Sequence, residues 1–132
     1  MLAEYMLKIS ATKNTPEVVL NPDGMFKIIG RSMNANVGEF SKQIDDWIDS
    51  YVHNPADLTC VDFYLEYLNT TNFKFYISLL SKIESIKLKD KKYLINWYYE
   101  EGDEDIVEKG EYISSALEVP FNFIMIPDHN DI

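Results

Sequence analysis

The segment Tyr67-Leu-Asn-Thr-Thr-Asn-Phe-Lys74 sets two hydroxyls between two asparagines, where a β-rich run gives way to an amphipathic helical one. At such a junction the first backbone N–H groups of the helix lack partners and the helix dipole turns its positive end toward the turn, so an anion is well tolerated. A phosphate esterified to Thr70 would add about −1.5 to −2 charges and three acceptor oxygens there. The same residues also suit a structural task, because Asn69, Thr70 or Thr71 makes a good helix cap. Arg31 is the one arginine of the chain. Its planar fork fits a phosphate or a carboxylate, and it fits an ordinary surface salt bridge equally well.

Elsewhere the chain offers little that could do chemistry. No glycine-rich phosphate loop is present, and the five glycines are scattered. His53 and His129 have no neighbour at metal-ligand spacing. Cys60 lies in the apolar run Leu58-Thr-Cys-Val61 without basic neighbours to lower its pKa, which reads as an inert core thiol. The acidic loop Glu100-Glu-Gly-Asp-Glu-Asp105 could attract a divalent cation. It lacks EF-hand spacing, and carboxylates at the start of a helix are explained by the helix dipole. Asp62 and Glu66 are the best acid/base candidates, yet polar positions on a half-buried strand account for them. These readings lead us to expect a protein that is not an enzyme and uses no metal or cofactor.

With 132 residues, 46% of them hydrophobic and 14% aromatic, the chain can fill a core, so disorder throughout is excluded. It is expected to form a single domain over residues 1–132, with 127–132 a frayed tail. A net charge of −10 argues against nucleic acid as a partner and suits proteins that carry basic patches. One cysteine precludes an internal disulfide. No apolar run approaches the ~20 residues of a membrane span, and the N-terminus does not resemble a secretion signal. A cytoplasmic location is the expectation.

The elements that must position the Thr70 turn follow from periodicity. Met6 to Ser10 alternates weakly, and residues 17–30 read as a β-hairpin around the turn Asn21-Pro-Asp-Gly24. Val37, Phe40, Ile44, Trp47, Ile48 and Tyr51 share one face of a helix that Asn34 or Asn36 caps and Asn54-Pro55 closes. Residues 58–68 form the strongest strand, with Thr59, Val61, Phe63, Leu65 and Tyr67 on one face. A second helix carries Phe73, Tyr76, Ile77, Leu80, Ile83 and Lys87 on its stripe. A strand over 93–99 follows, then a third helix over Asp103–Ala116 with Ile106, Val107, Ile113 and Leu117 as its apolar positions. Pro120 stops that helix before a last strand at 121–126. Strands separated by helices imply parallel pairing through crossovers, hence an α/β domain with one mixed, mostly parallel sheet and about three helices.

Tyr67-Leu-Asn-Thr70 before an amphipathic helix, Trp97-Tyr-Tyr-Glu-Glu-Gly-Asp-Glu-Asp105 and Glu108-Lys-Gly-Glu111 together resemble the SiaC family of bacterial regulatory phosphoproteins. Thr15-Pro-Glu-Val18, Ile29-Gly-Arg-Ser32, Trp47 and Pro120-Phe-Asn-Phe123 match in the same order. The resemblance implies a fold like the STAS domains of anti-sigma factor antagonists and a non-catalytic switch protein. It implies phosphorylation of the residue matching the family threonine, Thr70, by a partner kinase, and removal of the phosphate by a partner phosphatase. It further implies that the unphosphorylated form engages other proteins, including a diguanylate cyclase in cyclic di-GMP signalling. Asn69, Thr71, Asn72 and Arg31 are then the flanking and partner-contact residues. The alternatives are an anti-sigma factor antagonist in a partner-switching network, which shares this fold, and a small enzyme or small-ligand-binding domain that uses the cleft beside residues 69–72. The chain departs from the family pattern at Thr71-Asn72 and at Asn34-Ala-Asn36.

Overall fold

The computed structural model describes residues 5–34 and 38–127. Three strands come first, β1 (Leu7–Ile9), β2 (Glu17–Leu20) and β3 (Met25–Ser32). Then helices and strands alternate: α1 (Gly38–Tyr51), β4 (Leu58–Leu68), α2 (Phe73–Glu84), β5 (Lys92–Glu100), α3 (Glu104–Leu117) and β6 (Asn122–Ile126). Short 3-10 turns at Thr70–Asn72 and Ser85–Lys89 bracket α2.

The six strands form one sheet in the order of the chain. β1, β2 and β3 pair antiparallel, and β3 to β6 pair parallel. The hairpin turn is tight because Gly24, at φ +100°, brings its α-carbon against Leu58, where a Cβ would stand 2.2 Å from the carbonyl oxygen. Consecutive parallel neighbours joined by helices leave those helices on one side. The pleat shows it directly. Phe26, Val61 and Ile95 align across three strands, as do Ile28, Phe63 and Trp97, and all six are buried with the apolar faces of the helices. Residues of the opposite parity, such as Lys27, Ile29, Tyr64, Asn96 and Tyr98, stay half-buried or exposed.

Two features of the sequence-based reading change. Tyr67 does not share the face of Phe63 and Leu65. Gly30 pairs with Leu65 but Arg31 pairs with Tyr67, so Glu66 is an extra residue in β4. A bulge of one residue reverses the alternation beyond it. Leu68 is therefore fully buried and Tyr67 turns away from the core. The α2 stripe is also rotated. Phe75, Tyr76, Leu79, Leu80 and Ile83 are buried, whereas Phe73 and Ile77 only flank the core. Periodicity fixes the width of such a stripe, but contacts with α1 and α3 choose its centre. In the 3-10 turn after α2 it is Ile86, rather than Lys87, that enters the core. The proposed α1 cap at Asn36 lies outside the described residues, as does the tail from residue 128.

α3 sits close to the sheet because Gly110 faces the Trp97 indole, whose Nε1 donates to the Ile106 carbonyl at 2.9 Å. A Cβ at position 110 would meet the ring at 2.6 Å. Replacing glycine in a helix ordinarily gains about 1 kcal/mol. Overpacking against a buried indole costs about 1–3 kcal/mol, and the ring cannot retreat because Phe63 packs on it at 5.1 Å. Gly110→Ala is thus expected to lower stability by about 1–2 kcal/mol, read as a lower urea midpoint with an unchanged m-value. An unchanged or raised midpoint would show that α3 can move off the sheet.

Candidate functional site

The chain leaves β4 at Leu68 and turns sharply before α2, and the turn is built by two asparagines. Asn69 caps the 3-10 turn: its Oδ1 accepts from the Thr71 N–H at 3.1 Å and from the Thr71 hydroxyl at 3.1 Å. Asn72 is 1% exposed. Its amide nitrogen donates to the carbonyls of Asn69 at 3.0 Å and Met33 at 3.1 Å, and to Thr71 Oγ1 at 3.2 Å. Its Oδ1 accepts from the Ser32 hydroxyl at 3.1 Å, and Ser32 Oγ lies 2.6 Å from the Tyr76 hydroxyl. The Asn69 N–H donates to the Ser32 carbonyl at 2.9 Å. One buried polar network thus ties the turn to the end of β3 and to the first turns of α2. Burial holds the Tyr76 phenol well above its ordinary pKa, so it stays a neutral hydrogen-bonding group.

Of the three residues read as caps, Asn69 does the capping, and of the 3-10 turn rather than of α2 itself. Thr71 is tied down by its hydroxyl. Thr70 is exposed, and no described residue hydrogen-bonds its hydroxyl. The two threonines, equivalent in sequence, are therefore distinct in structure.

Arg31 stands beside this turn but in no salt bridge. Among the described residues no carboxylate reaches it. Its guanidinium instead lies 5.2 Å from the centre of the Tyr67 ring, with Nη2 3.8 Å from the Met33 sulfur. Lys109 of α3 reaches the same ring at 5.1 Å, donates to the Leu68 carbonyl at 2.6 Å, and pairs with Asp105 at 2.9 Å. A stacked pair, Phe73 with the 56%-exposed Tyr112, closes the other side of the turn at 4.8 Å. Lys109, Ser32, Tyr76 and Tyr112 were not singled out as site residues by sequence reasoning, although Lys109 and Ser32 fall in the Glu108-Lys-Gly-Glu111 and Ile29-Gly-Arg-Ser32 motifs.

The remaining candidates are not brought together. Asp62 accepts from Asn96 at 2.8 Å, and Asn96 from Asn122 at 3.0 Å, so the Asp62 carboxylate belongs to a polar band across the uncovered sheet face. Glu66 lies instead in a cleft of about 460 Å³ with Ile29, Tyr64, Tyr98 and Ile126. Burial and the hydrogen bond with Tyr98 push the Tyr64 phenol up to about 12. Burial and the nearby Asp62 raise the Cys60 thiol, opposite to what a nucleophile requires. Cys60 is half-buried on that open face rather than a core thiol. In the acidic loop, Asp103 caps α3 by accepting from the Ile106 N–H at 3.2 Å. Among the described residues no group of three potential ligands gathers to hold a metal ion. Nor is any described helix long and apolar enough to cross a membrane.

The sequence profile for "SiaC family regulatory phosphoprotein" matches residues 9–126. An uncharacterized protein of Pseudomonas aeruginosa strain UCBPP-PA14 is 25% identical over 116 residues, which span 87% of this chain and 92% of that protein. A chain from the crystal structure of diguanylate cyclase SiaD in complex with its activator SiaC, from P. aeruginosa, aligns with a TM-score of 0.75 at 24% identity. That alignment covers 92% of this chain and 99% of the other. Apo-SiaC of the same organism aligns with a TM-score of 0.75 at 23% identity, over 91% of this chain and 97% of its own. At these identities the structural likeness establishes the fold.

The two central hydroxyl and amide positions make opposite demands. Asn72→Ala strands buried partners on Ser32, Asn69 and Met33 and is expected to cost about 1–3 kcal/mol. Thr70→Ala removes an exposed group without a partner and should stay within about 0.5 kcal/mol of the parent. Urea unfolding of both variants checks this, and equal losses would refute the asymmetry.

Proposed function

Because the chain belongs to the SiaC family of regulatory phosphoproteins, we propose that it is a non-catalytic partner protein whose binding is switched by reversible phosphorylation of Thr70. One observation carries the choice of residue. Thr70 projects an exposed, uncommitted hydroxyl from a turn whose backbone is fixed from below, while the hydroxyl of Thr71 is already engaged by Asn69 and Asn72. A kinase needs a hydroxyl it can approach, and a switch needs a turn that keeps its shape when that hydroxyl changes.

The mechanism is local electrostatics. A partner that docks on the unmodified turn covers a neutral, half-apolar surface made of Thr70 and the Phe73–Tyr112 pair. Phosphate places about −1.5 to −2 charges in that contact. The partner must then desolvate a dianion, and the complex dissociates. Asn69, Thr71, Asn72 and Arg31 act as the frame and rim of this surface. A protein kinase and a phosphatase are its expected modifying partners. A diguanylate cyclase is the expected effector, in line with the complex of SiaD and SiaC to which this chain is structurally similar.

Phosphopeptide mapping of the protein isolated from its native cells, with phosphatases inhibited, tests the assignment. Fragmentation that separates Thr70 from Thr71 should locate phosphate on Thr70. Phosphate confined to Thr71 would move the switch to its neighbour. The binding arm uses a diguanylate cyclase from the same cells. Thr70→Ala should keep the parent affinity, and Thr70→Glu should weaken it by about tenfold or more, on the order of 1.4 kcal/mol. Equal affinity for parent and both variants would sink the mechanism.

A further inference from the structure

We propose that Arg31 and Lys109, each lying against the Tyr67 ring, form the receiving site for a phosphomonoester on Thr70. Among the described residues Arg31 reaches no carboxylate, although it is exposed on a chain with 12 basic and 22 acidic residues. Lys109 Nζ comes within 5.1 Å of the ring against which Arg31 lies at 5.2 Å. An anion placed beside that ring would be attracted by both cations. The planar fork of arginine and the point charge of lysine together match a dianion with three acceptor oxygens.

Thr70 lies three residues beyond Tyr67, at the end of the segment that this pair flanks. Arg31 is the register partner of Tyr67, and Ser32 that of Leu68, so β3 runs alongside the chain that leads into the turn. α3 grips the same segment at two points. Lys109 donates to the Leu68 carbonyl at 2.6 Å, and Tyr112, one helical turn later, stacks on Phe73 at 4.8 Å. Thr70 lies between these two fastenings. Neither requires its side chain, so a phosphate there can turn toward Arg31 and Lys109 while the turn stays closed. The competing anion is Asp105, paired with Lys109 at 2.9 Å. Its side chain is 65% exposed, so solvent weakens that pair. A phosphate dianion, with twice the charge and three oxygens, displaces it.

The consequence is directional. Captured phosphate neutralises the local cations and draws Thr70 toward Tyr67, so modification removes both the free hydroxyl and the basic spot. A partner that offers a carboxylate to Arg31 in the unmodified state loses its counter-charge at the same moment.

The inference rests on the reading of Thr70 as the modified residue. Its test is kept separate from that reading by installing phosphothreonine at position 70 during synthesis of the full chain. Phosphorus-31 NMR then follows the second ionisation of the phosphate from pH 4 to 8, with the same protein unfolded in urea as reference. In the folded parent the phosphate should titrate about one unit below its ordinary value near 6, despite the acidic molecule around it. Arg31→Gln and Lys109→Gln should each move the titration back toward the reference, and the double variant should reach or pass it. A folded parent that titrates at or above the unfolded reference overturns the proposal. So does a depressed value that neither substitution changes, because the turn's own N–H groups would then be the source. Circular dichroism of each variant confirms that the comparison is made between folded proteins.

Discussion

The buried amide of Asn72 is the contact on which the exposed turn depends. A hydroxyl offered to solvent cannot also hold its own backbone in place. Something beneath it must do so, and here the fastening runs from Asn72 to Ser32, Met33 and Asn69. Buried polar groups of this kind are costly when partly satisfied and rigid when fully satisfied. Among the described residues no buried side-chain nitrogen or oxygen lacks a partner. The turn is thus held by a network specific in geometry, in which the Thr70 hydroxyl takes no part. That division allows a modification at the surface without unfolding below.

Covering the sheet from one side has a similar consequence at larger scale. All three helices pack on the face that carries Phe63 and Trp97, and the other face is left with only its own side chains. There the strands shield one another. Tyr64 and Tyr98 stack at 4.1 Å with their planes 11° apart, and Asp62, Asn96 and Asn122 form a hydrogen-bonded band. The polar band across a face of aromatic and aliphatic residues keeps it from being continuously apolar, which limits unselective association. It also explains why Asp62, an acid/base candidate by residue type, is occupied in structure.

Charge is distributed with equal economy. In this acidic molecule several lysines find carboxylates, as Lys82 does with Asp45 and Asp49, and Lys91 with Asp57. Such exposed pairs contribute little to stability. Arg31 makes no such pair and lies instead against an aromatic ring. A one-residue bulge at Glu66 puts that ring in position, since without it Tyr67 would point into the core and Leu68 out. The irregularity in β4 thus decides both what fills the core and what lies beside the turn.

Much of the architecture was legible in the residues themselves. The hairpin around Asn21–Gly24, the order of strands and helices, the mixed sheet and the break at Asn69–Asn72 follow from turn chemistry and periodicity, which act over a few neighbours. The chemical character of the Thr70 segment was legible for the same reason. The bulge at Glu66, the rotation of α2 toward Phe75 and Leu79, and the half-exposed placement of Cys60 were not, because each depends on what a distant strand or helix presents. Above all, the chemistry of the residues left Thr70 and Thr71 as adjacent, identical hydroxyls that only the family resemblance told apart. The tertiary structure separates them physically, because the buried amide that claims Thr71 takes its bearings from Ser32 and Met33, some forty residues earlier in the chain.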